Sequence, residues 1–461
     1  MSLDVSKQIT REVIRPEGHT PPSFPYSPGV KAGGWVFASQ QMGGDLASGL
    51  APGARANERN PHLKDPVELQ SFALMKNLSE VLRSAGADIS DDSVRIQQWR
   101  VASRPTMEEF EAGSTWTGLS VSPYYRARNS YIAEPRPAST GMGVRRLLMR
   151  DALIGVDMIA IHPDAGPGKS GVDVPEGVPS PLAGYSPAIC NGDWVFLAGE
   201  IPTDWKGDWL SERYMGQPSS LAPEARVNPF FWYGSPIEVQ TDYTLKKLDL
   251  IARAAGTDLA RCVKANVYLG HPRDYEGMDR VWRQWFPDNP PARVVIPWTG
   301  HGGMGSRIEI DMVLLSSDSQ LERKAIQTDA ALEPLGHEPQ AMRAGDFVFF
   351  STQLPAGPEG IAPELLGNPE LPFFFDPAAL QAGRILDNIG AICEAAGTTI
   401  QNVCQLKEFH RDLGSFAAAR EEWRSHFGDA APASTTVELG ADLIVPGCAL
   451  LMEAIAYAPQ V

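Results

Sequence analysis

Two charged residues in this chain have side chains suited to chemistry, one as a fixed cation and one as a carrier of protons. Arg293 closes the run Pro290-Pro291-Ala292-Arg293. A guanidinium is permanently charged and grips a carboxylate through two parallel hydrogen bonds. Glu309 lies in the apolar run from Ser306 to Leu315. A carboxyl group within hydrogen-bonding reach can pass protons in both steps of hydrolysing a carbon–nitrogen double bond. Each residue also has a plainer reading. Most arginines decorate a surface, and Glu309 and Asp311 share one face of an alternating strand where both can be solvated. His301, in the glycine-rich loop from Trp298 to Gly305, titrates near neutral pH and is either an acid–base group or a solvent-facing loop histidine. The five cysteines are Cys190, Cys262, Cys393, Cys404 and Cys448. They form no Cys-x-x-Cys pair, which points to reduced thiols and to no zinc site. No phosphate loop, His-Glu-x-x-His, Gly-x-Ser-x-Gly or dinucleotide fingerprint is present.

The elements that must position these residues recur three times. Lys31-Ala-Gly-Gly-Trp35-Val-Phe, Cys190-Asn-Gly-Asp-Trp194-Val-Phe and Arg343-Ala-Gly-Asp-Phe347-Val-Phe each read as a turn entering a short apolar strand. Each is followed by an Ala-Pro word (Ala51, Ala222, Ala362) and then an Asn-Pro word (Asn60, Asn228, Asn368). Next comes a helix opened by proline at Pro66, Pro236 or Pro377 and closed by Gly86, Gly256 or Gly397. A strand, a second helix and a final strand pair complete each unit. The order β-β-α-β-α-β-β predicts an α+β fold with both helices on one sheet face. Asp157, Asp311 and Glu453 hold the same register on the last strands, a position that suits structural pairing between units. Predicted boundaries are 1–165, 166–325 and 326–461.

The chain has 461 residues and a formal net charge of −16. That charge argues against nucleic acid as a partner, because phosphate needs a basic footprint. No apolar stretch reaches the ~20 residues of a membrane span, and the mixed-charge start is unlike a signal peptide. A cytoplasmic protein with no membrane partner is expected.

With those words in place, the chain resembles the RidA (YjgF-type) reactive-intermediate deaminase family. The likeness rests on Tyr185-Ser-Pro, Gly192-Asp-Trp-Val-Phe-Leu-Ala-Gly199-Glu, Ala255-Gly-Thr-Asp-Leu, Lys264-Ala-Asn-Val-Tyr, Pro291-Ala-Arg293 and Ile308-Glu309-Ile-Asp311. It runs over essentially the whole chain in three copies and is closest in the middle one. The resemblance implies three chorismate-mutase-like domains arranged as an intramolecular pseudo-trimeric barrel, with clefts between copies. The chain would then be a monomeric pseudo-trimer or a homodimer of such units. Arg293 would hold a substrate carboxylate and Glu309 a water, with no cofactor and no metal. Tyr185, a ligand neighbour or simply a buried tyrosine, and Gly199, a close-approach position or a plain strand glycine, would line the cleft. Arg273 would be a second cation or a loop cap. Val295 replaces the cysteine common in the family. The first and third copies carry Ser139 and Ser434 in the register of Arg293, and Gly155 and Leu451 in that of Glu309. Their clefts are therefore expected to have lost deaminase chemistry. The function implied is a deaminase-type hydrolase acting on a small enamine, imine or related nitrogenous carboxylic acid. The alternatives are a non-catalytic ligand-binding or scaffold protein, or a catabolic hydrolase that opens an amide or a nitrogen heterocycle, in which Ser39, Ser139 or Ser434 would matter. The expected partner is a small-molecule carboxylate substrate.

Overall fold

The computed structural model describes residues 11–103, 117–118, 121–204, 220–228, 230–298, 305–368, 370–371 and 376–459. The prolines and glycines act locally as their chemistry requires. Asp65 caps its helix by accepting the Val67 N–H at 2.8 Å, and Asp376 accepts that of Ala378 at 2.9 Å. These bonds satisfy donors that a helix start leaves open. At the other ends Gly86, Gly256 and Gly397 take φ of 79°, 74° and 78°, a left-handed conformation that costs glycine little.

Along the first stretch of chain run β1 (Gly29–Ala32), β2 (Trp35–Gln41), α1 (Pro66–Ser84), β3 (Ser93–Ser103), α2 (Ser122–Tyr131), β4 (Ala138–Val144) and β5 (Ile154–Ile161). The second stretch has β6 (Ala188–Asn191), β7 (Trp194–Glu200), α3 (Pro236–Ala254), β8 (Cys262–Leu269), α4 (Tyr275–Trp285), β9 (Ala292–Pro297) and β10 (Ile308–Leu315). The third has β11 (Ala341–Ala344), β12 (Phe347–Phe350), α5 (Pro377–Ala395), β13 (Val403–His410), α6 (Phe416–Phe427), β14 (Ala433–Glu438) and β15 (Leu450–Tyr457).

Hydrogen bonding gives three main sheets, ordered β1-β2-β5-β3-β4, β6-β7-β10-β8-β9 and β11-β12-β15-β13-β14, with short added strands at their edges. The pairs β3/β4, β8/β9 and β13/β14 are parallel, and the other pairs within these orders are antiparallel. A parallel pair needs a crossover, and α2, α4 and α6 supply it.

The twofold alternation of strand side chains sorts residues between two faces. In the first sheet Val36 and Ala38 pack with Leu74 and Leu78 of α1, while Trp35 and Phe37 point to the middle of the molecule. There the ring centroids of Trp35 and Trp194 lie 4.9 Å apart and those of Trp35 and Phe347 4.6 Å apart. Three words far apart in sequence thus meet in one aromatic cluster. Around it Lys264 pairs with Glu453 at 3.4 Å, Lys407 with Asp157 at 2.9 Å, and Arg95 with Asp311. Every one of these pairs joins two sheets, and each takes its acid from a shared register.

The closed barrel expected from the resemblance is not formed. The three main sheets are separate ladders. Their seams are held by side chains, ring packing and a few backbone bonds: the Ser434 N–H donates to Ser39 Oγ at 2.7 Å, that of Thr352 to the Arg293 carbonyl at 3.0 Å, and the short strand Arg146–Leu147 of the first stretch pairs antiparallel with Val437 and Glu438 at the edge of the third sheet.

Candidate active site

A cavity of about 370 Å³ opens where the first sheet meets the second. Its floor is polar. Gln98 and Arg100 come from β3, Ser139 and Gly141 from β4, Glu200 from the end of β7 and Glu309 from β10. Strand geometry explains the grouping: Gln98 and Arg100 are two residues apart and share a face, whereas Trp99 between them turns inward to bond Asp157 at 2.6 Å. Tyr125, Tyr185, Leu182 and Ile201 stand around this floor.

Glu309 is 7 % exposed. Burial pushes its carboxyl up to about 8, with the nearby carboxylates Asp311 and Glu200 adding to the rise. Arg100 and the Gly141 N–H, which bonds the carboxylate, pull the other way. At neutral pH the group is therefore mostly protonated and able to donate. Glu200 is neutralised by Lys247, whose Nζ lies 2.7 Å away. The Arg100 guanidinium is thus the dominant charge facing the cavity. Tyr185 lines the same wall, and burial holds its hydroxyl well above the ordinary range. Gly199 has a steric role: a Cβ there would overlap Glu309 Oε1 and press on Thr140. Such an arrangement can hold an anionic head and move a proton beside it.

Arg293 is elsewhere. It begins β9 on the far edge of the second sheet, where its N–H donates to Ser351 Oγ of the third sheet at 3.1 Å. Its side chain is fully buried. One terminal nitrogen bonds Asp279 at 2.5 Å and also Glu338, while the guanidinium stacks over Trp282 with its carbon 4.9 Å from the ring centroid. Arg293 and Glu309, expected in one cleft, face two different seams. The reason is topological. β9 is an outer strand facing the third sheet, whereas the Glu309 carboxyl reaches across to β4 of the first.

The remaining candidates divide similarly. Tyr185 and Gly199 line the cavity with Glu309. Arg273 is exposed on the turn before α4, where its backbone N–H donates to His271 Nδ1 at 3.1 Å. His301 lies outside the described residues. Ser139 lines the cavity, while the Ser39 hydroxyl donates to the Ser27 carbonyl at 2.5 Å. At the seam between the third and first sheets, Arg420 stacks 3.6 Å from the Trp423 ring centroid and bonds Glu408 at 2.6 Å and Thr436 at 2.9 Å. Sequence reasoning missed Gln98 and Arg100. The available signal was a pair of polar residues two apart in a strand otherwise apolar on its cavity face.

A family model described as Endoribonuclease L-PSP matches residues 230–315 and 328–458. A RutC family protein of Pyrococcus abyssi is 32 % identical over 140 residues, covering 30 % of this chain and 98 % of the relative. A RutC family protein of Pyrococcus horikoshii is 32 % identical over 138 residues, covering 29 % and 98 %. The crystal structure of RidA from the Antarctic bacterium Psychrobacter sp. aligns 29 % of this chain with 98 % of its own at 30 % identity and a TM-score of 0.24.

Proposed function

The chain belongs to the RutC family, whose model is described as Endoribonuclease L-PSP, and from that premise we propose that it is a deaminase-type hydrolase of small enamine or imine carboxylic acids. The reading places the reaction in the cavity between the first and second sheets. One observation carries it: a buried carboxyl, Glu309, and a guanidinium, Arg100, line the same cavity. Arg100 holds the substrate carboxylate. Water adds to the C=N carbon to give a carbinolamine. Glu309 passes its proton to the departing nitrogen and takes one back from the carbinolamine hydroxyl, so the products are a keto acid and ammonia. A net charge of −16 suits a small acid held by one local cation better than a polyanion such as RNA.

The chain is read further as three tandem copies, 1–165, 166–325 and 326–461, forming an intramolecular pseudo-trimer. Support comes from the repeated strand order and from the convergence of Trp35, Trp194 and Phe347. In this reading only the seam between the first two copies is active. The other two seams are filled by their own ion pairs.

Ammonia release from 2-aminoacrylate and related imino acids tests the function. Glu309→Gln is expected to lower kcat by roughly 10²–10⁴-fold. Arg100→Met is expected to raise KM by roughly 10–100-fold, the loss of a charge-assisted hydrogen bond. Unchanged rates in both variants would overturn the proposal. A wild type that binds these acids without turnover would favour the ligand-binding alternative.

A further inference from the structure

Places that correspond in the three sheets carry different chemistry beside the cavity. Gln41, Glu200 and Gln353 stand at equal distances after Trp35, Trp194 and Phe347. Asn77, Lys247 and Asn388 stand at equal distances after the prolines that open α1, α3 and α5. In the first and third sheets both places are neutral amides with structural duties. Gln41 and Gln353 donate to the Ser39 and Ser351 carbonyls, each at 3.1 Å. Asn77 and Asn388 donate to the Met42 and Leu354 carbonyls at 3.1 and 3.4 Å. Lys247 does similar work on the Ile201 and Thr203 carbonyls at 2.9 and 3.3 Å. Glu200 has no side-chain N–H and cannot repeat the bond of Gln41. Backbone bonding therefore accounts for an amide at each place and not for a buried ion pair, whose desolvation is costly.

The charged pair stands at the seam that holds Arg100 and Glu309, and Glu200 lines their cavity. Lys247 takes Glu200 Oε2 at 2.7 Å, while Oε1 bonds no described residue and is not sealed from solvent. Glu309 comes close to it. In the ladder between β7 and β10 Glu200 pairs with Ile310, and the Glu309 carboxyl lies over Gly199. After burial, the charge of Glu200 is among the causes that push Glu309 and the Tyr185 hydroxyl upward. Two carboxyl groups thus share one cavity in different states: Glu309 carries a proton at neutral pH, and Glu200 is the anion of an ion pair. Such a division sets an acid beside a base. Because its lysine cancels its charge, Glu200 can stand in the cavity without repelling an anionic substrate.

We propose that Glu200 is a second catalytic residue of this cavity, the base that takes a proton from the attacking water. The inference rests on the reading of the cavity as a deaminase site and adds the group that readies the water. As Glu309 gives its proton to the imine nitrogen, Glu200 takes one from water. The water oxygen bonds the carbon, and one electron pair of the C=N bond moves to nitrogen. Glu200 then hands its proton to the amino group of the carbinolamine. The C–N bond breaks with its electrons going to nitrogen, and Glu309 recovers a proton from the hydroxyl. Keto acid and ammonia leave, and both carboxyl groups return to their starting states.

Ammonia release from imino acids by the full chain, measured above the spontaneous rate, tests the assignment. Glu200→Gln removes the base. The double variant Glu200→Gln/Lys247→Asn rebuilds the amides of the other two sheets, so it should fold without a buried, unpaired ammonium. Both are expected to lower kcat by roughly 10²–10⁴-fold, with KM little changed because Arg100 still holds the acid. Between about pH 6 and 8 the kcat of the double variant should climb with pH, as hydroxide replaces the missing base, while the wild type shows no such rise. A pair that serves structure alone would not change that slope. A double variant with wild-type kcat would overturn the role of Glu200, and so would a loss of kcat with the wild-type pH profile. Failure of the underlying cavity reading looks different: Glu309→Gln and Arg100→Met would then keep wild-type rates, or the wild type would release no ammonia.

Discussion

At the scale of single residues, Glu309 and Arg293 make opposite predictions. The ordinary value for a glutamate is 4.5, and burial raises Glu309 to about 8. Between those values the folded chain holds a proton that the unfolded chain has released. Stability contributed by this group is therefore complete below about pH 4.5 and falls as pH rises to about 8. Glu309→Gln should flatten that part of the stability profile, measured as the urea midpoint from pH 5 to 8. In the wild type, kcat should fall as pH passes about 8, where the donor loses its proton; a rate that instead rises through pH 8 would rule out the acid role. Arg293→Ala should behave as a structural lesion. It leaves Glu338 buried without its cation, while Asp279 keeps Arg283 at 2.8 Å; this costs about 3–5 kcal/mol, while kcat per folded molecule should stay unchanged. A large loss of kcat with normal stability would return Arg293 to the chemistry.

At the scale of elements, Gly199 tests how β7 and β10 share space. A Cβ on β7 would collide with the Glu309 carboxylate, so Gly199→Ala should displace that side chain at about 1–3 kcal/mol, the usual cost of overpacking. Loss of turnover beyond the loss in unfolding free energy would be the sign. Elements were the most legible part of the sequence. Proline at helix starts, glycine at helix ends and apolar runs between turns act through neighbours within a few residues, and the structure has helices and strands at those words. Each of the three segments has a mixed sheet packed under its helices, as the α+β order required. The site was less legible. Tyr185, Gly199 and Glu309 gather on one seam, but the resemblance also put Arg293 there. Which strand edge faces which neighbouring sheet is decided by contacts between residues hundreds of positions apart. Nothing local in Pro-Pro-Ala-Arg states that Glu338 and Asp279 will neutralise its cation. Nothing in Gln98-Trp99-Arg100 states that a glutamate more than two hundred residues later will close the same cavity.

At the scale of the whole molecule, the central aromatic cluster and the ion pairs around it bind the three sheets into one unit. Trp35 touches rings from both other sheets, so Trp35→Ala should destabilise the whole chain by about 3–5 kcal/mol. The loss should appear as a lower midpoint of one cooperative transition, followed by both circular dichroism and tryptophan fluorescence. Separate transitions for the three sheets would show that the cluster does not couple them. The seams differ in a further way. One holds an open cavity with Arg100 and Glu309, one is filled by Arg293 with Asp279 and Glu338, and one by Arg420 with Glu408. Where identical chains assemble in a ring, a mutation reaches every junction at once, so a junction cannot be sealed without sealing its twins. Written as a single polypeptide, each junction answers to its own codons. Two can harden into permanent cement while the third stays hollow, and the firmness of the pair becomes the rigid frame in which the remaining hollow keeps its shape.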